Sequence, residues 1–162
     1  MYSTDPEIQR QSENVRAALL VYFERNPDMK SPYDGMCYVA SATLKKLVGN
    51  QVRLWKTRDQ NNQFHWWCET RNGETIDLTS EQYSENNIEV PSNGRAAKMK
   101  ESGRILSFTS YKKKVDSLLE IIQNFQLTDL PFGLKKYAEK IFNLNEKRIP
   151  FLTGSDAPSF ID

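Results

Sequence analysis

The sequence predicts an α+β domain, and three observations carry that reading. Apolar residues recur at helical spacing as far as Gly49, alternate along the chain from Gln51 to Thr79, and return to helical spacing beyond Ser110. Helices flanking a run of consecutive strands make a small antiparallel sheet with helices packed on it. At 162 residues the chain fits one domain and is long enough to bury a core without disulfide or metal staples.

The elements follow in order. Asp5-Pro6-Glu7 starts a helix, with Asp5 as N-cap and Pro6 at the first helical position, and Ile8, Val15, Leu19, Tyr22 and Phe23 supply its apolar stripe before Asn26-Pro27 stops it. A loop from Asp28 to Asp34 leads to a second helix that begins at or near Cys37. It carries Val39, Ala40, Thr43, Leu44 and Leu47 on one side and ends at Gly49. Gln51–Lys56, Gln63–Thr70 and Glu74–Thr79 read as three strands of a meander, the last two joined at Asn72-Gly73. The polar stretch Ser84–Gly103, with Pro91, Gly94 and Gly103, reads as a mobile loop able to shape or cover a site. Ser110 then caps a helix striped by Val115, Leu118, Leu119, Ile122 and Phe125, and Leu134, Ala138, Ile141 and Phe142 mark a shorter last helix. The expected organisation is a single domain over 1–147, with 148–162 a tail that is an ordered strap or partly disordered.

Composition removes several function classes. Twenty-two basic and 21 acidic residues leave a formal charge of +1, so no global field draws in nucleic acid or an anionic membrane. The run Lys112-Lys113-Lys114 reads as a solvated helix face. No apolar run approaches the roughly 20 residues that span a bilayer. The N-terminal segment lacks a basic start followed by an apolar block, so the expectation is a cytoplasmic protein whose two cysteines are free thiols. Neither a metal site nor a cofactor is expected.

The chemistry that is on offer belongs to Cys37, His65 and Asp77. A cysteine at a helix start meets unpaired N–H groups and a partial positive charge, which favour a thiolate and can hold the oxyanion of a tetrahedral intermediate. His65 is the only histidine and must be the base of any thiol mechanism. Whether Asp77 can orient it depends on strand register. A two-residue turn at Asn72-Gly73 sets Asp77 opposite Cys68 and turns His65 to the other face. A three-residue loop, Arg71–Gly73 with Gly73 left-handed, sets Asp77 opposite Trp67 and diagonal to His65. Trp66 and Trp67 point to opposite faces of their strand, one for the core and one for a cleft or partner surface. Cys68 faces away from His65 and reads as structural. Glu69 and Glu81 read either as groups that support the site from behind or as surface residues, with the surface the better reading for both.

The strings around these residues resemble the transglutaminase-like branch of the papain-like cysteine fold. That family has a cysteine at a helix start, H-x-W-x-E in a strand and then D-x-T, matched here by Gly35-Met36-Cys37, by His65-Trp66-Trp67-Cys68-Glu69 and by Asp77-Leu78-Thr79. The chain is also similar to the YunG-like bacterial proteins, through His65-Trp66-Trp67 and Ile76-Asp77-Leu78-Thr79-Ser80-Glu81-Gln82-Tyr83, with Arg104–Ser107, Tyr111 and Val115 a looser match. The likeness covers 35–115. It implies a papain-like or transglutaminase-like core, with the cysteine-bearing helix packed on a small antiparallel sheet, one helix before it and two after. It further implies a catalytic triad of Cys37, His65 and Asp77 in a cysteine hydrolase or acyltransferase acting on an amide or isopeptide of a protein or peptide. Met36, Trp66 and Trp67 are the expected substrate-lining residues. Met36 stands where the YunG-like pattern usually has glutamine, and this departure suits the alternative of a catalytically inactive binding or regulatory module.

Overall fold

The structure, a computed structural model, describes residues 3–85, 94–97 and 105–124. Helix α1 runs Pro6–Glu24, with the Asp5 carboxylate accepting from the N–H groups of Glu7 and Ile8 at 2.9 and 3.1 Å. Glu74 clasps the segment ahead of it, accepting from the Ser3 and Thr4 hydroxyls at 2.6 Å each. Helix α2 runs Cys37–Val48 and closes at Gly49. It touches α1, α4 and strands β1 and β2, which is why Cys37 to Leu44 is buried on every side and the helix carries no long polar face.

The strands are β1 (Val52–Arg58), β2 (Phe64–Thr70), β3 (Thr75–Ile76) and β4 (Arg95–Ala97), forming one antiparallel sheet in the order β3-β2-β1-β4. Between β3 and β4 lies the short helix α3 (Glu81–Glu85), and α4 (Ile105–Asn124) follows β4. Val52, Leu54, Trp66 and Cys68 face α2, and Tyr38 of α2 meets Trp66 edge-on at 5.0 Å. Trp55, His65 and Trp67 occupy the other face, where Trp55 stacks on Trp67 at 6.4 Å. The Lys112–Asp116 pair at 2.6 Å lies on the exposed side of α4, while Val115, Leu118 and Ile121 are buried.

Three expectations change here. Strand β3 is two residues long because Asp77 accepts from Thr79 N–H at 3.0 Å, an Asx turn that bends the chain off the strand. The stretch expected to be a loop contains β4, three residues whose only strand signal is main-chain pairing with β1. Helix α4 begins five positions before Ser110, which lies inside it, since a serine within a helix costs only a few tenths of a kcal/mol. The expected last helix, Phe125 and the boundary at 147 fall outside the described residues. The chain divides after Asn124, and every described residue belongs to the first unit.

One contact is unforgiving. A Cβ built on Gly94 would lie 2.2 Å from Cη2 of the buried Trp67 and 3.0 Å from the Lys56 carbonyl oxygen. Gly94→Ala is therefore expected to push β4 off the sheet edge and cost about 1–3 kcal/mol in a urea unfolding curve; an unchanged midpoint would show that Trp67 yields without cost.

Candidate active site

Cys37 owes its position to the turn before α2. Met36 N–H donates to Tyr33 O at 3.0 Å, Gly35 takes φ +67, and the first helical bond is Ala40 N–H to Met36 O at 2.9 Å. The backbone N–H groups of the turn that starts at Cys37 thus precede the helical ladder, and Met36 makes no side-chain cap. Cys37 stands at the positive end of the helix with 7% of its surface exposed.

The sheet brings the histidine to it. Asp59 N–H donates to Gln63 O at 2.9 Å, so Gln63 bonds toward β1 and, by antiparallel alternation, the Phe64 carbonyl points to the opposite edge of β2. Strand β3 covers that edge only at Cys68 and Glu69. Further along, the edge is clear of β3, and Cys37 Sγ lies 3.6 Å from Phe64 O. The His65 imidazole, with no exposed surface, is within hydrogen-bonding reach of the Cys37 thiol.

The third group arrives through the register. Gly73 has φ +82 and Thr70 N–H donates to Glu74 O at 2.9 Å, so the loop is three residues long. Cys68 pairs with Ile76, and Asp77 therefore follows opposite Trp67, on the face of His65. Asp77 Oδ2 accepts from His65 Nε2 at 2.7 Å while Oδ1 accepts from Thr79 N–H and, at 3.4 Å, from its hydroxyl. With the proton on Nε2 held by Asp77, the Nδ1 lone pair is left for the thiol. Gln82 Nε2 sits 3.5 Å from Nδ1 and donates to Thr79 Oγ1 at 3.1 Å, and the Tyr83 ring stands perpendicular to the imidazole at 4.7 Å. Gln82 and Tyr83 carry no catalytic signal of their own in the sequence, although both lie in the string Ile76–Tyr83.

Electrostatics follow from this packing. Burial pulls the His65 pKa down, but hydrogen bonds to Asp77 and Cys37 and the charges of both outweigh it and raise the group to about 9. Burial pushes the Tyr83 phenol upward. Burial also pushes the Cys68 thiol up to about 12, and its Sγ faces Ser41 O at 3.4 Å in the α2 interface, as a structural cysteine would.

Met36, Trp66 and Trp67, expected to line a substrate cleft, are placed in the interior at 0, 4 and 4% exposure. Met36 is enclosed by the turn into α2, Trp66 lies against Tyr38, and Trp67 stacks between Trp55 and His65 at 6.4 and 5.7 Å. Glu81, expected at the surface, is ion-paired with Arg16 of α1, whose side chain is 7% exposed. That pair ties α3, and with it Gln82 and Tyr83, to the helical layer. Glu81→Gln is expected to cost about 2 kcal/mol, less than for a wholly buried pair because Glu81 is 32% exposed. Denaturant unfolding checks the loss, and titration of His65 in the same variant shows whether α3 still holds the ring.

Among the described residues no group of three or more His, Cys, Asp and Glu side chains is arranged to hold a metal ion, and no helix is long and apolar enough to cross a membrane. Comparison with curated proteins and with solved structures gives no match. Residues 24–119, more than half of the chain and the whole of the Cys37, His65 and Asp77 site, match the sequence model of the family described as YunG protein.

Proposed function

The chain belongs to the YunG protein family, and from that premise we propose that it is a cysteine-dependent hydrolase or acyltransferase with a papain-like or transglutaminase-like core, acting on an amide or isopeptide. The observation that carries this reading is the buried imidazole of His65, held 2.7 Å from the Asp77 carboxylate on one side and within reach of the Cys37 thiol on the other. A histidine buried merely for packing has no need of both partners.

The groups divide the work as follows. His65 Nδ1 takes the proton of Cys37, and Sγ attacks the carbonyl carbon while the C=O π pair moves onto oxygen. The N–H groups at the start of α2 receive that oxyanion. On collapse the C–N bond breaks, the imidazolium gives its proton to the leaving amine, and a thioester remains on Cys37. His65 then takes a proton from water, or from an acceptor amine, as that nucleophile attacks the thioester and frees the thiolate, which recovers a proton from the imidazolium. Asp77 keeps the ring oriented and balances its charge. Hydrolysis is the default outcome because water is always present.

Incubation with p-nitrophenyl acetate near neutral pH tests the proposal. A single acyl adduct on Cys37 is expected by mass spectrometry, absent from Cys37→Ala and longer-lived in His65→Gln. Adducts shared equally by Cys37 and Cys68 would sink it. The second reading, a binding module without turnover, is favoured by Met36: the family-like pattern usually has glutamine there, and this buried thioether offers the oxyanion no donor.

A further inference from the structure

The imidazole of His65 is bridged from one ring nitrogen to the other. His65 Nε2 donates to Asp77 Oδ2 at 2.7 Å, and the second oxygen of that carboxylate accepts from the Thr79 hydroxyl at 3.4 Å. The Thr79 proton is thereby committed to Asp77, so its oxygen accepts, and the group facing it at 3.1 Å is the N–H of the Gln82 amide. The same Gln82 nitrogen lies 3.5 Å from His65 Nδ1 and carries a second hydrogen. Backbone bonds fix this return: Gln82 N–H donates to Thr79 O at 3.1 Å and Tyr83 N–H to Ser80 O at 3.0 Å, which folds the start of α3 back over Thr79. Every donor in this circuit fits a ring whose proton is on Nε2, and none fits a proton on Nδ1.

We infer that Gln82 is a positioning residue for the base: its amide N–H occupies the Nδ1 lone pair in the resting protein, yields it to the thiol proton, and opposes that proton once it has arrived. This role rests on the acyl-transfer reading and adds to it the group that regulates His65. Proton transfer from Cys37 turns Nδ1 from acceptor into donor, so the Gln82 hydrogen then faces another hydrogen and its bond is lost, while the bond to Asp77 is kept. The imidazolium is thereby a stronger acid toward the leaving amine than Asp77 alone would leave it. The site has a use for such a group: Asp77 and Cys37 hold His65 at about 9, and a base held there is mostly protonated at neutral pH. At 3.5 Å the contact is long, as catalytic hydrogen bonds often are before substrate binds. Among the described residues the titratable groups that face the ring are Cys37 of α2, Asp77 beyond β3 and Tyr83 of α3, while β1 sets neutral Thr57 beside His65.

Two variants carry the test, and Gln82 is half-buried, so neither empties a core position. Gln82→Met keeps the length without a donor, and Gln82→Glu puts an acceptor where the donor was. His65 is titrated by NMR through its ring protons in full-length Cys37→Ala protein, where no thiol shares Nδ1. Its proton affinity is expected to rise about threefold in Gln82→Met and about tenfold in Gln82→Glu, read as midpoints about 0.5 and about 1 pH higher. A packing role alone predicts the reverse, since a loosened α3 weakens the hold of Asp77 and lowers both midpoints. Any order other than Gln82→Glu above Gln82→Met above the protein with Gln82 intact overturns the role. With Cys37 present, Gln82→Met is expected to raise the rate of alkylation by iodoacetamide at pH 7 about threefold, because thiolate and imidazolium form more readily; an unchanged or slower rate counts against Gln82. The two readings fail separately. Native Cys37 that reacts as slowly as Cys68 ends the acyl-transfer reading while the midpoints still decide the hydrogen bond, and midpoints out of order remove Gln82 and leave a reactive thiol in place.

Discussion

His65→Ala is expected to slow alkylation of Cys37 by iodoacetamide at pH 7 by about 10²-fold, the lower end of what a positioned base contributes. The chain has one histidine, so no second imidazole can take over. Cys68 is the internal reference: buried against Ser41 O with its thiol pushed up to about 12, it stays slow in both proteins. Alanine also empties a fully buried site and strands the Asp77 carboxylate, so His65→Gln is the companion variant that keeps most of the volume and a hydrogen bond to Asp77. Peptide mapping of alkylated protein reads each cysteine separately. If native Cys37 reacts as slowly as Cys68, or if neither variant changes its rate, the acyl-transfer reading falls.

The second large effect concerns Asp77. Asp77→Asn removes the charge that helps raise His65 to about 9 and replaces an acceptor-only carboxylate by an amide that can present N–H to the ring. The pKa of His65 is expected to fall, and Cys37 alkylation to drop by about 10²-fold or more as the tautomer with its proton on Nε2 loses its hold. The ring protons of a lone histidine are read directly in an NMR titration, with a native midpoint near 9 and a lower one in the variant. The sign for stability follows. A folded value above the ordinary 6.5 means that the native state holds its proton more tightly than the unfolded chain. The stabilisation from His65 is therefore complete below pH 6.5 and disappears as pH rises toward 9. The difference in Tm between the native protein and His65→Gln should shrink across that interval, and a difference that grows with pH would contradict the assignment of partners. Enzymatic turnover should also decline above pH 9, where no imidazolium is left to protonate the leaving amine, while alkylation, which needs only thiolate, should not.

Much of this protein was legible from local chemistry. Asp5-Pro6, Gly49 and the spacing between them specify α1 and α2 nearly to the residue, because caps and amphipathic stripes act within one or two turns of the chain. The same locality put Cys37 at a helix start and singled out His65 and Asp77 as partners. It could not choose between the two hairpin registers, since both bury an alternating strand and differ by one residue of loop. The choice fell to Gly73 at φ +82 together with the buried contacts that His65 makes only on the Asp77 face. Strand β4, the Arg16–Glu81 pair and the approach of Gln82 and Tyr83 to the imidazole likewise waited for the tertiary structure, being contacts between segments far apart in sequence whose residues carry no local pattern of their own. Short-range energies wrote the elements and the candidate nucleophile into the sequence, and long-range packing decided which carboxylate and which helix surround its base.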